Sequence, residues 1–421
     1  MDRRLAVTLA VASAALAGEA GAQSLESIMV AAREHDASLG VARAEVAVRA
    51  AEVSLARSAL LPSLSLATGY TRNQVESVVS IDGGAPIVIV PYDQLDASAT
   101  LALPLFDLPA RRAIRSAEAA RAATAIALEV AHAETDLAVV RAYHGWVGGA
   151  ALVASSEVAE RSARENLAVV ERRAAADLAS NLDVNRARAA VAEAEQIRAV
   201  AELAVATARR ELESLSGLRL GADPPALTDE PPDVGPLEDW LVGLEGTPAV
   251  RAARAGLSEA RARRAAVDAA MWPRIDAIAV ERWSNAAGFG EQSSGSVGVT
   301  ASWRFDASLV HRGRVARATE RATLARERQA RQAARDRAVD AWNTVVARRA
   351  TVAATRARLG AAREGAAAAT TRFGAGTATQ LEVVEAQRDA FAADVALIQA
   401  RAELALAGAV LRIVAGRPVT S

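Results

Sequence analysis

Ser63-Leu64-Ser65-Leu66-Ala67-Thr68-Gly69-Tyr70 alternates small or polar side chains with larger ones, and Ser296-Val297-Gly298-Val299-Thr300-Ala301-Ser302-Trp303 alternates again more than two hundred residues later. A period of two is the mark of a strand with two unlike faces. Ser98-Ala99-Thr100-Leu101-Ala102-Leu103 continues the pattern, and the residues after Pro273, with Asp276 among Ile275, Ala277 and Ile278, form a less regular fourth strand. Each pair of strands, about 63–104 and 274–303, is approached by an Ala-rich tract, Leu25 to Leu60 and Leu237 to Met271, that reads as one helix of about 35 residues. Pro62 and Pro273 stop these helices, because proline pushes its predecessor into extended geometry. After each hairpin a very long helix is predicted, Ala110 to Ala176 and Arg312 to Ala375, about 100 Å at 1.5 Å per residue. A short break and a return helix follow, ending near Leu215 and Val414.

The plan occurs twice because the sequence does. Val41-Ala42-Arg43-Ala44 and Leu61-Pro62 match Ala252-Ala253-Arg254-Ala255 and Trp272-Pro273 at an offset of 211, whereas Phe106-Asp107, Arg173, Leu182 and Gly217 match Phe305-Asp306, Arg372, Leu381 and Gly416 at 199. The 12 residues lost between the two offsets lie in the segment after Pro62, which is longer in the first copy. The domains read as repeat 1 over 23–222, a Pro-rich linker over 223–236 and repeat 2 over 237–421. Leu137, Val140, Val147, Ala151 and Val158 in one long helix, and Leu381, Val384, Phe391, Val395 and Ile398 in one return helix, fall on a seven-residue pattern for side-by-side packing. Gly145, Gly148 and Gly149 inside the long helix mark a bend or a close helix contact, or a tolerated defect costing up to about 1 kcal/mol each.

Composition narrows the function. The 49 basic residues, all Arg, nearly cancel 50 acidic ones, so there is no field for nucleic acid. With no Cys there is no disulfide, thiolate metal site, cysteine nucleophile or lipid acceptor. His35, His132, His144 and His311 are scattered without ligand spacing, Gly288-Phe289-Gly290 opens no helix, and no Ser sits in a strand-to-helix elbow. Neither a metal, a cofactor nor an enzyme is expected. Asp2-Arg3-Arg4, the apolar Leu5 to Ala17 and Ala20-Gly21-Ala22 read as a signal peptide over 1–22. No later segment reads as apolar enough for a transmembrane helix, so the mature chain is either soluble outside the cytoplasm or membrane-bound through strands.

Eight of fourteen aromatics, Tyr70, Tyr92, Phe106, Trp272, Trp283, Phe289, Trp303 and Phe305, lie in or beside the hairpins, as girdles at two bilayer interfaces would require. The alternative is a half-buried sheet capping a soluble coiled coil. Four strands cannot close on themselves and an open edge cannot sit in hydrocarbon, so membrane strands imply several copies. Two copies give eight strands and a filled barrel; three give twelve and leave a lumen.

With this duplicated plan, the helix-Pro-strand junctions Ala59-Leu60-Leu61-Pro62-Ser63-Leu64-Ser65 and Ala270-Met271-Trp272-Pro273, the segment Leu103-Pro104-Leu105-Phe106-Asp107 with Arg111-Arg112, and the turn Arg372-Phe373-Gly374-Ala375-Gly376-Thr377-Ala378-Thr379-Gln380-Leu381-Glu382-Val383-Val384-Glu385-Ala386-Gln387, the chain resembles the TolC family of outer-membrane efflux and secretion channels over essentially its mature length. The resemblance implies a mostly α fold with β: a homotrimer with a 12-stranded barrel in outer-membrane lipid, continuing into a periplasmic α-helical barrel. It implies docking to a periplasmic adaptor and an inner-membrane pump or ABC exporter. It places a gate at the helix tips, on Glu382 and Glu385 with Asp183 and Arg186 as their copy-one equivalents. Adaptor contact is implied at the turns holding Arg173, Asp177 and Leu182, and Arg372, Gly374, Gly376 and Leu381. Two positions depart from the pattern: Asp177 stands where copy two has Gly376, and Ala378 where some members carry a gate-locking arginine. The expected function is a passive exit duct for small molecules or polypeptides. A structural coiled-coil spacer is the alternative, and a general porin is disfavoured because strands take only about a tenth of the chain. The cargo is not written in the sequence.

Overall fold

The computed structural model describes residues 24–81, 83, 86–222, 224–227, 234–305 and 307–419; the expected signal peptide and much of the Pro-rich linker lie outside the described residues. The first copy runs α1 (Leu25–His35), α2 (Ala37–Ser58), β1 (Ser63–Arg72), β2 (Ser77–Val79), β3 (Ile87–Val90), β4 (Asp93–Asp107), α3 (Leu108–Ala175) and α4 (Asn181–Ser216). The second runs α5 (Leu237–Leu241), a 3-10 turn (Leu244–Gly246), α6 (Pro248–Ala269), β5 (Arg274–Ser284), β6 (Ser293–Ser302), α7 (Ala307–Gly374) and α8 (Gln380–Val414). The compact units are not the two copies. One unit comprises Arg43–Ala127 with Arg251–Ala330 and holds the sheet; the other comprises Leu128–Val250 with Arg331–Ser421 and the described residues up to Ala42.

The helix that opens each copy is broken, where the sequence suggested one continuous rod. Asp36 leaves helical geometry at φ −56°, ψ 122°, and its carboxylate accepts from the Ser38 backbone N–H at 2.9 Å and from Thr135 Oγ1 at 2.7 Å, so it caps α2. Thr247, at φ −63°, ψ 145°, makes the matching break before α6, its hydroxyl donating to the Leu244 carbonyl at 2.7 Å, with Pro248 at the first helical position. Residues 36 and 247 differ by the same 211 that relates the copies.

In the helical unit, Ile28, Met29 and Ala32 of α1 pack with Val139, Val140 and Trp146 of α3 and Leu212 of α4. A second core joins Val345, Val352 and Leu359 of α7 to Leu397, Leu404 and Leu411 of α8, each set seven residues apart. Ala187, Ala194, Ala201 and Ala208 form a buried seam of the same period along α4. The seam of α8 thus runs through Ala393, Leu397, Ala400 and Leu404, whereas the pattern chosen from sequence, Leu381, Val384, Phe391, Val395 and Ile398, is half-buried. The reason is that alanines carry much of the seam and let helices approach closely, and their small size hides them in a search for large apolar residues.

The three glycines of α3 belong to this close packing. A Cβ on Gly148 would stand 2.7 Å from Ala402 Cβ, and one on Gly149 would stand 2.9 Å from Val205 Cγ2. At Gly145 it would meet Ala208 Cβ at an ordinary 3.7 Å. Close helix contact, not a tolerated defect, explains Gly148 and Gly149.

Contrary to the expectation from sequence, α3 contains an 18-residue window long and apolar enough to cross a membrane by composition. About a third of that window is buried, and Val139, Val140, Trp146 and Val147 of the same helix lie in the packed core.

Candidate functional site

In the sheet unit, four antiparallel strands follow the order β1-β4-β5-β6, leaving β1 and β6 as edges, and β2 pairs with β3 as a separate ribbon within the longer hairpin of copy one. The ribbon accommodates the extra residues of that copy. Strand β4 passes through Pro104 at a bulge in its pairing with β5 and runs on to Asp107, three residues past the boundary read from sequence. Asp107 is buried and its Oδ1 accepts from the Ala110 backbone N–H at 2.7 Å, so one residue ends the strand and starts the helix.

The register sorts side chains onto two faces. One face carries Leu64, Leu66 and Tyr70 of β1, Leu95 and Leu101 of β4, Ala277, Ala279 and Trp283 of β5, and Val297 and Val299 of β6, with Glu281 of β5 a carboxylate on it near the hairpin loops. Leu66 is 74% exposed and Val297 86% exposed. The other face carries Ser63, Ser65 and Gly69 of β1, Ser98 and Thr100 of β4, Asp276, Ile278, Val280 and Arg282 of β5, and Ser294, Ser296, Gly298 and Thr300 of β6. The sheet therefore has one apolar and one predominantly hydrophilic surface.

The aromatics sort onto its two ends. Tyr70, Tyr92, Trp283 and Phe289 lie toward the hairpin loops; Phe106, Trp272, Trp303 and Phe305 lie toward the helices. Tyr70 donates its hydroxyl to Asp93 Oδ1 at 2.8 Å, Arg72 pairs with the same oxygen at 2.5 Å, and the Arg72 guanidinium lies 5.7 Å from the Tyr92 ring centre.

The helix tips, in the helical unit, share one backbone plan. Helix α3 ends with the Leu178 N–H donating to the Arg173 carbonyl at 2.8 Å, and α7 ends with the Thr377 N–H donating to the Arg372 carbonyl at 2.9 Å. Between them stands a left-handed residue, Asp177 at φ 57° in one copy and Gly376 at φ 75° in the other. The departure of Asp177 from the glycine pattern is thus one of residue type, not of backbone, and Asp is among the few residues that tolerate this region. Gly374, the last residue of α7, has open space where a Cβ would stand.

The return helices start alike too. Ser180 Oγ accepts from the Asp183 N–H at 3.2 Å while Asp183 Oδ2 accepts from the Ser180 N–H at 3.1 Å; Thr379 Oγ1 accepts from the Glu382 N–H at 3.3 Å while Glu382 Oε1 accepts from the Thr379 N–H at 3.3 Å. These are capping boxes. Their signal, Ser180-x-x-Asp183 and Thr379-x-x-Glu382, stood in the sequence but was read there only as charge. The Ser180 hydroxyl bond, then its N–H bond, hold the Asp183 carboxyl below its ordinary pKa. Arg186 Nη1 lies 3.9 Å from Asp183, and Arg372 Nη1 lies 3.7 Å from Glu382. Glu385 is exposed and makes no hydrogen bond or ion pair among the described residues.

Across the copies, the Arg173 guanidinium stacks 4.1 Å from the centre of Phe373, Gln380 Nε2 donates to Asn166 Oδ1 at 3.1 Å, and Arg388 pairs with Glu193 at 3.0 Å. No local pattern could have found these contacts, which join residues about 200 positions apart. Leu182 is 56% exposed, and Leu381 is half-buried. Beside the tips, a groove of about 530 Å³ is lined by Val158, Ala194, Arg363, Ala367, Phe391 and Asp394 from α3, α4, α7 and α8.

Comparison with known proteins extends this geometry. The family model described as outer membrane efflux protein matches residues 28–218 and 243–417. Protein CyaE of Bordetella pertussis is 31% identical over 249 residues, which are 58% of this chain and 51% of that protein, so the chain spans about half the length of this curated relative. A membrane protein from Pseudomonas aeruginosa superposes with a TM-score of 0.79 at 21% identity, covering 93% of each chain. The outer membrane protein VceC of Vibrio cholerae superposes with a TM-score of 0.76 at 21% identity, covering 94% of this chain and 96% of its own. These likenesses give the fold: that of the outer-membrane channel proteins.

Proposed function

The chain belongs to the outer membrane efflux protein family, and from that premise we propose that it is the outer-membrane exit duct of a tripartite efflux pump or a type I secretion system. It conducts small molecules or polypeptides passively from a periplasmic adaptor and inner-membrane pump or exporter to the exterior. The observation that carries this reading is the sheet: an apolar face with Val297 and Leu66 exposed, a predominantly hydrophilic face opposite, and two edge strands without partners among the described residues. A soluble cap would bury the apolar face. In lipid that face is solvated, and the edges are satisfied when β1 of one copy pairs with β6 of the next.

Three copies supply twelve strands and a lumen lined by the hydrophilic faces. The 11 residues of β5 span about 36 Å along the strand, or roughly 28 Å across a membrane at a tilt near 40°, close to the height of the apolar band of such barrels. Tyr70, Tyr92, Trp283 and Phe289 then form one interfacial girdle and Phe106, Trp303 and Phe305 the other.

The gate and the adaptor contact belong to the helix tips. Glu385, uncommitted among the described residues, is the stronger candidate for a constriction carboxylate. Glu382 and Asp183 face the lumen only with the oxygens their caps leave over. Arg173, stacked on Phe373, contributes to tip closure more than to adaptor contact. The exposed Leu182 and the neighbouring groove suit a helical adaptor hairpin.

Single-channel conductance in planar bilayers tests both levels. Wild-type protein should give small cation-selective steps blocked by divalent cations, and Glu382→Ala with Glu385→Ala should enlarge the steps or abolish the block. Steps that ignore the double substitution would remove the gate and keep the duct. A soluble periplasmic monomer without conductance would remove the duct and restore the spacer.

A further inference from the structure

We infer that Arg282 forms a cationic collar inside the barrel, an anion-attracting station in the membrane part of the duct that works against the cation preference of the tip carboxylates; this rests on the duct reading above. Arg282 lies on the hydrophilic face of β5, opposite Ser98 of β4 and Ser294 of β6, and the same cross-strand row reaches Ala67 of β1. Every neighbour in the row is small. The guanidinium is exposed and makes no hydrogen bond or ion pair among the described residues. That sets it apart from the other arginines of the strands: Arg72 pairs with Asp93, and Arg274 pairs with Asp276.

The one carboxylate nearby on this face is Asp96, a row further toward the loops, opposite Ser284. Both of its oxygens are occupied at the wall, by the Ser284 hydroxyl at 2.6 Å and by Gln94 Nε2 at 2.9 Å. Its charge stays at the backbone while the longer Arg282 side chain is free to extend. Glu281 points to the opposite, apolar face.

Geometry turns this difference in reach into selectivity. Twelve strands 4.8 Å apart and tilted about 40° close at a backbone radius of about 12 Å. An arginine extending about 6 Å from such a wall brings three guanidinium groups to within about 6 Å of the axis. The Debye length near 10 Å at 0.1 M salt exceeds the remaining gap, so no ion passes outside their field. A small anion or an anionic cargo group is attracted there and a cation is slowed.

The test uses the absence of Cys from the chain. In Arg282→Cys, a negatively charged methanethiosulfonate added from the loop side should change the conductance, while Leu66→Cys on the apolar face should not respond. In a salt gradient, Arg282→Gln should lower the anion-to-cation permeability ratio by roughly threefold, Asp96→Asn should raise it, and Arg282→Lys should leave it near the wild-type value. Since Arg282→Lys keeps the charge and loses the guanidinium shape, its selectivity separates a charge role from a structural one. Steps with unchanged selectivity in Arg282→Gln and no response of Arg282→Cys would overturn the collar and leave the duct standing. Absence of steps from folded wild-type protein would overturn both.

Discussion

The two compact units treat apolar side chains in opposite ways. In the helical unit Val345 is fully buried and Leu397 is 4% exposed, whereas in the sheet unit Val297 and Leu66 stand open on a continuous surface. Composition does not explain this, since both regions draw on the same Val, Leu and Ala. What differs is the solvent each is built for: the helical unit makes its own core at a period of seven, and the sheet leaves its apolar face to the bilayer at a period of two. Exposure that would be an aggregation liability in water is here the membrane contact itself.

The largest expected effect attacks the two sheet faces separately. Val297→Arg puts a charge in lipid at a cost of about 2–4 kcal/mol per copy near the midplane, and heat-resistant oligomer on detergent gels should be lost. Ser296→Arg, one residue away on the hydrophilic face, should leave oligomer intact and alter conductance only. Equal loss from both would mean that the faces are not distinguished by solvent.

Next is the pH response of the helical core. Burial lowers the pKa of His144 from 6.5 to about 4, so the folded state resists a proton that the unfolded chain accepts. The unfolded state binds more protons between those values, so stability is full above pH 6.5 and falls as pH drops toward 4, by at most roughly 3 kcal/mol. Guanidinium unfolding followed by circular dichroism from pH 4.5 to 7.5 should show this slope, and His144→Gln should flatten it.

The smallest effect sharpens the helical side. Gly148→Ala should destabilise the unit by about 1–2 kcal/mol, because overpacking against Ala402 outweighs the helix-propensity gain. Gly145→Ala, with ordinary contact distance to Ala208, should be neutral or stabilising by up to about 1 kcal/mol. Similar thermal shifts in the two variants would deny the close crossing.

Much of the fold was legible because local signals repeat. Alternation located the strands, the prolines at 62 and 273 located their starts, and the shared offset tied the halves together. The break at Asp36 was missed because the Ala-rich pattern runs straight across it, whereas Gly243, Gly246 and Pro248 signal the break at Thr247 in the sequence itself. Nothing local separates a surface Asp in a helix from one that caps the next. The β2–β3 ribbon was missed because its apolar residues, Val78, Val79 and Ile87 to Val90, sit among turn residues and read as loop. At the tips the sequence offered the carboxylates, but only the backbone revealed that Glu382 and Asp183 also hold helix ends. The Arg173–Phe373 stack is a product of tertiary structure alone.

The matched breaks, turns and caps at 36 and 247, 177 and 376, and 180 and 379 also speak to ancestry and assembly. A single copy already contains everything the wall needs: one hairpin, one long helix and one return helix, each with its own start and stop. A chain of one copy would have to gather six of itself to close twelve strands. Fusing two halves the number of bodies that must meet and removes three encounters, each of which costs several kcal/mol of translational and rotational freedom. Fusion also frees the halves to drift apart, and the chain shows where they have: a ribbon in one hairpin only, and an aspartate where its twin keeps glycine. Sixfold sameness in the backbone with threefold difference in side chains is the signature such a merger leaves.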